Sequence, residues 1–285
     1  MLRILYQLRH SLPRRVEEVL TRRWYEYLSR MDRGGNMLFM NYGFADLDTK
    51  AEPILLHAED EPNRYCIQLY HHVIDDVDLR GLDVLEVGSG RGGGASYVAR
   101  YLKPRSVIGF EITGSAIRFC SRHYRVPGLS FLQGDAESLP FDDASFDAVV
   151  SIESSHCYPS MERFLYETHR VLRPDGWFLF ADHRPTDHAE TLRAQLCRAG
   201  FTIRREQKIT ANVLRALDLD NGRKQRLIEQ HVPQILQGFF SEFAAMQGTR
   251  GVYAKFVSGD KQYLSFICTR EAELSTRGRV PASST

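Results

Sequence analysis

The sequence lacks the features that mark several large classes of protein. No apolar run approaches the ~18 residues that a membrane-spanning helix needs, and no secretory signal is recognisable. The 285 residues carry 37 Lys and Arg against 36 Asp and Glu, which leaves a net charge of +1. A charge this small gives no overall attraction for nucleic acid, so we expect no nucleic-acid partner. The lack of a long apolar run means that we expect no integral membrane segment.

Cysteine is scarce and scattered. The five cysteines show none of the paired spacings of metal sites, so no metal is expected. Their odd number, together with the missing secretory signal, favours reduced thiols and a cytoplasmic location. Internal repeats are also absent, and the length suits one large α/β domain with additions.

Glycine, by contrast, is concentrated in one stretch, Val84-Leu-Glu-Val-Gly-Ser-Gly-Arg-Gly-Gly-Gly94. The apolar residues before the glycines predict a buried strand, and the spacing of Val98, Ala99 and Leu102 after them predicts a helix. A strand, a glycine turn and a helix suit a nucleotide-like ligand, because glycine permits close approach of the backbone and the start of the helix offers free N–H groups.

Two ligand classes fit these glycines. Gly88, Gly90 and Gly93 match the dinucleotide pattern GxGxxG, whereas Glu86 followed by Gly88, Gly90 and Gly92 is an acid followed by alternate glycines. A carboxylate at the end of the strand suits the ammonium group of S-adenosylmethionine (SAM) and repels a pyrophosphate. The stretch therefore favours SAM as the ligand, and the alternative is a glycine-rich turn that binds no ligand.

Strands and helices alternate along the rest of the chain. The predicted strands are 84–87, 106–111, 129–133, 146–152, 177–181, 201–209 and 262–269. The predicted helices are 95–102, 115–124, 161–172 and 189–199, and a helical stretch at 212–246. This alternation predicts a parallel sheet whose ligands lie at the carboxyl ends of the strands.

The regions around the α/β part are assigned as follows. Residues 1–64 are predicted to be a helical N-terminal lid segment, whose basic, amphipathic first 31 residues suit a packed helix better than a membrane surface. Residues 65–270 are predicted to be the ligand-binding domain, with 212–246 as a helical lid insertion. The polar tail 271–285 is predicted to be disordered.

Polar side chains follow the first strands. Glu111 lies at the end of the second strand, where a carboxylate can accept hydrogen bonds from both ribose hydroxyls, although an exposed acid would look the same. Asp135 follows the third strand and suits an adenine amino group, but Gly-Asp is also common in turns.

A histidine and an aspartate follow the next two strands. His156 follows the fourth and Asp182 the fifth, and we expect these strands to be neighbours, so the two side chains are predicted to meet as a functional pair. Adjacent residues of an extended strand point in opposite directions, so His183 is not expected to face the crevice together with Asp182.

These motifs in combination resemble the seven-stranded, class I SAM-dependent methyltransferases. The matching stretches are Val84 to Gly92, Gly134-Asp-Ala-Glu-Ser-Leu-Pro-Phe141, Ser145-Phe-Asp-Ala-Val149 and Arg170-Val-Leu-Arg-Pro-Asp-Gly176. A narrower resemblance, from about Arg22 to Arg270, is to the mycobacterial phthiotriol/phenolphthiotriol dimycocerosate methyltransferases. It is carried by Asp60-Glu-Pro-Asn-Arg64, Gly92-Gly-Gly-Ala-Ser-Tyr97, Ser155-His-Cys-Tyr-Pro159 and Met246-Gln-Gly-Thr249.

The resemblance implies a Rossmann-like α/β fold with a helical N-terminal addition and a lid between the sixth and seventh strands. It implies a SAM-dependent O-methyltransferase that acts on a hydroxyl of a bulky, largely apolar natural product of polyketide, glycolipid or macrocycle type and releases S-adenosylhomocysteine. The alternatives are a C- or N-methyltransferase of sterol or quinone type, a non-catalytic SAM-binding partner and, least favoured, a nicotinamide dehydrogenase. A homodimer and peripheral membrane contact are further expectations.

The resemblance also implies site residues. His156 is expected to be the general base and Asp182 to orient it, with His183 as the rival base. The expected cofactor contacts are Tyr42, Glu86, Gly88, Ser89, Gly90, Gly92, Glu111, Ile112, Asp135, Ala136 and Glu153. The expected acceptor contacts are Tyr158, His183, Phe239 and Phe243.

Overall fold

The computed structural model describes residue 35, residues 37–48, residue 50 and residues 52–271. The predicted basic helix over the first 31 residues lies outside the described residues. The predicted disordered tail lies outside them too, except for residue 271.

A seven-stranded sheet forms the centre of the described fold, as predicted. Its strands are β1 (Asp83–Val87), β2 (Ser106–Glu111), β3 (Leu129–Gln133), β4 (Phe146–Ile152), β5 (Leu172–Pro185), β6 (Phe201–Lys208) and β7 (Lys261–Arg270). The strand order is β3-β2-β1-β4-β5-β7-β6. The order reverses between β1 and β4, and a crevice opens at the carboxyl ends of the strands at such a reversal.

Helices cover both faces of this sheet. They are α1 (Arg64–Ile74), α2 (Gly93–Tyr101), α3 (Gly114–His123), α4 (Met161–Val171), α5 (Ala189–Arg198), α6 (Thr210–His231), α7 (Gln234–Phe243) and α8 (Val252–Ser258). One core contains Ile67 of α1 and Val98 of α2, and the other contains Phe164 of α4 and Leu192 of α5. Because both faces are covered, an interior strand such as β1 is buried along almost its whole length.

The last strand departs from the predicted parallel sheet. β7 runs antiparallel to both β5 and β6. The residues between β6 and β7 form α6, α7 and α8, which leave β6 at its carboxyl end and return to the same edge of the sheet. A chain that returns at the edge where it left must run back in the opposite direction. The same path places the insertion at the ligand-binding edge.

Two element boundaries also differ from the prediction. The helical stretch 212–246 is two helices, α6 and α7, because Pro233 lacks the N–H that a continuous helix would use. The fifth strand starts at Leu172, directly after α4, and its pairing with β4 jumps between Leu172 and Trp177. The intervening residues 173–176 therefore bulge from the ladder.

Candidate active site

A cavity of about 1290 Å³ lies at the carboxyl ends of β1 to β5. Its wall on the sheet side includes Gly88, Gly90, Glu111, Asp135 and Glu153. Residues 37–42 and the helices of the insertion supply other parts of the wall. A single small-molecule site usually occupies ~300–1,000 Å³, so this cavity has room for two ligands side by side.

The glycine turn after β1 has three residues with positive φ, and each has a different surrounding. A Cβ added to Gly88 would lie 2.4 Å from the Cβ of Ser154, and one added to Gly92 would lie 2.8 Å from the Phe131 ring. A Cβ added to Gly90 would meet only the Met40 sulfur, at 3.6 Å. Gly90 therefore borders open cavity space, whereas Gly92 is packed inside the protein and does not line the cavity.

Glu86 lies elsewhere than predicted. Glu86 is only 1 % exposed and does not line the cavity. Its Oε1 accepts a hydrogen bond from the Tyr70 hydroxyl at 2.6 Å. Burial raises the pKa of Glu86 to about 7. Tyr70 of α1 packs against the carboxyl group and keeps it out of the cavity wall, and the expected contact with the cofactor ammonium stays a prediction.

Glu111 lines the cavity and also secures the glycine turn. One carboxyl oxygen accepts from the Gly90 N–H at 3.1 Å, and the other accepts from the N–H and the hydroxyl of Thr113. Burial raises its pKa. Each carboxylate oxygen has more than one acceptor site, so the group can still accept from a ligand hydroxyl.

The aspartate in the loop after β3 fits both predicted roles, as a cavity residue and as a turn-forming residue. Asp135 lines the cavity, and its Oδ1 also accepts a hydrogen bond from the Glu137 N–H at 2.9 Å, as a turn-forming aspartate does. Ala136 and Ile112 line the same part of the cavity. Ser89 is buried and borders only a small adjoining space of about 40 Å³.

His156 and Asp182 meet, as predicted. The His156 Nδ1 lies 2.9 Å from the Asp182 Oδ1, and the His156 N–H donates to the Asp182 Oδ2 at 2.9 Å. The Ser155 hydroxyl donates to the same oxygen at 2.6 Å, and the Arg184 guanidinium lies 3.2 Å from it. His156 lines the cavity, whereas Asp182 lies behind it and is 1 % exposed.

The two groups stabilise each other's charged forms. Burial lowers the pKa of His156, but the Cys157 side chain and the Asp182 carboxylate outweigh that effect and raise it to about 10. Burial raises the pKa of Asp182, but the charges of His156 and Arg184 hold it well below its usual value. The contact therefore favours an imidazolium beside a carboxylate.

His183 faces the cavity, contrary to the prediction. Its ring stacks on that of His156 with centroids 4.3 Å apart, and on its neighbour Tyr42 at 5.7 Å. The alternation of side chains along β5 does not separate His183 from His156, because the 155–157 turn after β4 folds over the end of β5. Both Asp182 and His183 can then contact the same ring.

The lowered pKa of His183 argues against a role as the general base. Burial and the charges of His156 and Lys261 hold its pKa well below the usual value. The Lys261 Nζ lies 3.3 Å from its Nδ1, and an ammonium can only donate, so Nδ1 accepts and Nε2 carries the proton. Ligand atoms of His156, Asp182 and His183 lie within 4.8 Å of one another, but Arg184 and Lys261 already bring positive charge to this cluster, which disfavours a metal cation.

Glu153 joins the N-terminal segment to the sheet. It has a φ of +53°, lines the cavity, and its Oε2 accepts from the Tyr42 N–H at 2.9 Å and from the Tyr263 hydroxyl at 3.0 Å. Burial raises its pKa to about 8. Tyr42 and Glu153 therefore occupy the cavity wall together, and their role as cofactor contacts stays a prediction.

Of the expected acceptor contacts, Tyr158 lines the cavity beside the glycine turn and Phe239 does not line it. The Tyr158 hydroxyl would be 2.7 Å from a Cβ on Gly88, so it belongs to the glycine-turn side of the cavity. Phe239 does not line the cavity and packs in the small core of the insertion, whereas Phe240 and Phe243 line it. The sequence pattern did not predict which side of α7 turns inward.

The insertion also contributes basic side chains that the sequence argument missed. Arg223 and Lys224 of α6 line the cavity beside apolar Leu227 and Ile228. The missed signal is this adjacent basic pair within an otherwise amphipathic helix.

Comparisons with known proteins all find similarity to methyltransferases. Residues 85–180 match a family model described as a methyltransferase domain. The chain is 39% identical over 264 residues to the phthiotriol/phenolphthiotriol dimycocerosates methyltransferase of Mycobacterium tuberculosis, covering 91% of this chain and 96% of that protein. It is 35% identical over 249 residues to the fatty-acid O-methyltransferase of Mycolicibacterium smegmatis, covering 87% and 89%.

A solved structure shares the fold. Geranyl diphosphate C-methyltransferase from Streptomyces coelicolor A3(2), in complex with Mg²⁺, geranyl diphosphate and S-adenosyl-L-homocysteine, aligns with a TM-score of 0.60 and 16% identity. The alignment covers 86% of this chain and 97% of that one. Within the described residues, no helix is both long and apolar enough to cross a membrane.

Proposed function

The chain belongs to the family of SAM-dependent methyltransferases that includes the mycobacterial phthiotriol/phenolphthiotriol dimycocerosates methyltransferases, and from this membership we propose that it methylates a hydroxyl of a bulky, largely apolar lipid or natural product. The observation that carries the proposal is the His156–Asp182 pair at the wall of a cavity large enough for two ligands.

The residues around the glycine turn fit the methyl donor. The space beside Gly90 would be reduced by any side chain there, which suits close approach of a ligand to the backbone. Glu111 would accept from the ribose hydroxyls and Asp135 from the adenine amino group. The acidic side chains of this half, among them Glu153, suit a positively charged ligand. SAM supplies an electrophilic methyl carbon attached to positively charged sulfur.

His156 is the proposed general base. Its Nδ1 faces Asp182, which leaves Nε2 to take the proton of the acceptor hydroxyl as the new C–O bond forms. Asp182 fixes the tautomer and stabilises the imidazolium, as a buried aspartate does in a hydrolase triad. His156 must first release the proton that its pKa of about 10 implies. A positive charge brought near the ring lowers that pKa and favours the neutral base.

The lid side of the cavity supports an apolar acceptor. Leu227, Ile228, Val232, Phe240 and Phe243 line it, and together they form a broad apolar surface. The names of both relatives refer to lipid acceptors, phthiotriol dimycocerosates in one and a fatty acid in the other. Apolar lining with a few placed polar groups is the usual composition of such a binding site.

Replacing His156 by alanine tests the proposal. His156→Ala should reduce turnover by roughly 10²–10⁴-fold, because loss of a general base typically costs that much. SAM affinity should stay nearly unchanged, and Asp182→Asn should lower turnover in the same direction. Methyl transfer from isotope-labelled SAM to small molecules of a cell extract, followed by mass spectrometry, gives both the acceptor and the rate.

His188→Ala is the matched control, since His188 also lines the cavity but is exposed. Near-native turnover of His156→Ala on the true acceptor would disprove the base assignment. A labelled methyl group on carbon or nitrogen of the product would replace O-methylation by the C- or N-methyltransferase alternative. The absence of any labelled product would favour the non-catalytic SAM-binding partner.

A further inference from the structure

One basic side chain of the cavity has no hydrogen-bond partner among the described residues. The Nζ of Lys224, on α6, is inaccessible to solvent and makes no hydrogen bond with any group in the described part of the chain. The side chain lines the cavity together with its helix neighbours. A buried ammonium without a hydrogen-bond partner is costly, so its position in a ligand cavity points to a ligand group that completes it.

The neighbouring arginine shows the contrast. Arg223 lines the same cavity, but its guanidinium donates to both carboxyl oxygens of Asp220, at 2.6 and 2.5 Å. This ion pair satisfies the positive charge of Arg223 within the helix. Burial lowers the pKa of Lys224, Cys66, Asp220 and Glu153 act in the opposite direction, and the Arg223 charge lowers it further.

Charged side chains line several parts of the cavity. The strand ends contribute the acidic Glu111, Asp135 and Glu153 and the basic Arg184 and Lys261, whereas α6 contributes Arg223 and Lys224. The acidic groups at the strand ends suit the cationic methyl donor, whose charge favours their ionised forms. The unpartnered ammonium of the insertion instead suits a negatively charged group, and apolar residues one turn away, Leu227 and Ile228, suit an apolar chain attached to it.

We propose that Lys224 binds an acidic group, a carboxylate or a phosphate ester, that is carried by the acceptor. The acceptor is then an acidic amphiphile, anchored by its charge at α6 while its hydroxyl lies at His156. This inference rests on the proposed function and specifies its substrate class. We assign the anion to the acceptor because Lys224 belongs to the insertion between β6 and β7 and not to the glycine turn or the strand ends.

Binding of decanoate and of 1-decanol to the full chain tests the proposal. Both probes are titrated by calorimetry in saturating S-adenosylhomocysteine, with decyl phosphate as a second acid. Wild-type protein should bind the acids more tightly than the alcohol. Lys224→Gln and the more apolar Lys224→Met should each weaken acid binding by about 10- to 100-fold, the effect of a lost charge-assisted hydrogen bond, and leave alcohol binding unchanged.

Arg226→Gln removes the same charge from an exposed position of α6 and should alter neither probe. Circular dichroism and the affinity for S-adenosylhomocysteine show whether each variant is folded. Equal affinities for acid and alcohol in every variant would disprove the inference. So would weaker binding of S-adenosylhomocysteine by Lys224→Gln with unchanged acid binding, because Lys224 would then hold the cofactor carboxylate.

The outcomes also separate this inference from the proposed function. Loss of turnover in His156→Ala combined with no preference for acids would leave the methyltransferase proposal standing and overturn the role of Lys224. Preference for acids that depends on Lys224, without methyl transfer to any acceptor, would support the subsite and overturn the proposed activity.

Discussion

Glu153 couples the ionisation of one carboxyl group to the stability of the fold. Its pKa is raised to about 8, mainly by burial, from an unfolded value near ~4.3. The folded state thus binds the proton more tightly than the unfolded state. The stabilisation that protonated Glu153 gives the folded state is fully present below pH ~4.3 and is lost as pH rises through about 8.

Glu153→Gln should therefore reduce the loss of stability between pH 5 and pH 8, by on the order of a few kcal/mol. The amide oxygen can still accept from the Tyr42 N–H and the Tyr263 hydroxyl, so the contacts of the wild-type residue persist. Urea unfolding measured across this pH range gives the comparison. Glu229→Gln, at an exposed position of α6, is the control, and identical pH dependence in all three proteins would contradict the assignment.

Substitutions at two glycines of the turn after β1 should have different effects, one on ligand binding and the other on protein stability. Gly90→Ala adds a Cβ that meets only the Met40 sulfur at 3.6 Å, so the protein should fold, with a strain of ~1–2 kcal/mol from its φ of +51°. It should lose affinity for S-adenosylhomocysteine, because the added atom occupies the space of the ligand, and Gly90→Val should abolish binding.

Gly88→Ala should behave in the opposite way. Its Cβ would lie 2.4 Å from the Cβ of Ser154, a contact that forces the protein itself to move. We expect a marked decrease in the thermal midpoint, measured by calorimetry. Unchanged ligand affinity in Gly90→Ala would show that the backbone there does not approach the cofactor.

The insertion between β6 and β7 is attached to the rest of the protein at specific points. The Ala45 N–H donates to the Asn212 carbonyl at 3.2 Å, and the Asn212 side chain donates to the Ala45 carbonyl at 3.0 Å. The start of α6 is thereby joined to the segment that carries Tyr42. The break at Pro233 then separates α6 from α7, and both helices contribute to the cavity wall.

We expect the insertion and the N-terminal segment to form a mobile cover over the acceptor. Hydrogen exchange of residues 212–246 should be slowed by S-adenosylhomocysteine, because ligand binding stabilises the closed arrangement. Exchange of β1 and β4 in the central sheet serves as the internal control. Equally high protection of the insertion with and without ligand would favour plain core packing over a moving lid.

The molecule as a whole should discriminate between SAM-type and nicotinamide ligands. A ligand that binds only the folded state stabilises it by ~2.7 kcal/mol at a concentration of 100 Kd. For a chain of this size, S-adenosylhomocysteine should raise the thermal midpoint by roughly 5 °C or more, whereas NAD should not change it. Calorimetric scans with each ligand make the comparison. Stabilisation by NAD alone would restore the dinucleotide interpretation of the glycine turn.

Several expectations about the whole protein stay predictions. These are the division into residues 1–64, 65–270 and 271–285, the homodimer, the peripheral membrane contact and the cytoplasmic location. The basic amphipathic helix on which the membrane expectation depends lies outside the described residues.

The amino-acid sequence by itself determined the framework of this protein. Periodicity and glycine spacing predicted seven strands and the ligand edge of the sheet, because such patterns reflect local backbone preferences. The meeting of His156 with Asp182 was predictable for a related reason. Residues that follow neighbouring parallel strands are brought to one edge whatever the remaining contacts are.

Only the tertiary structure decided which side chains face the cavity. Tyr70 of α1 keeps Glu86 out of the cavity wall, and the 155–157 turn brings His156 onto His183. In each case, a segment distant in sequence occupies or vacates the space around a side chain. Local pattern contains no information about that neighbour, so packing alone settles where Lys224 places its charge.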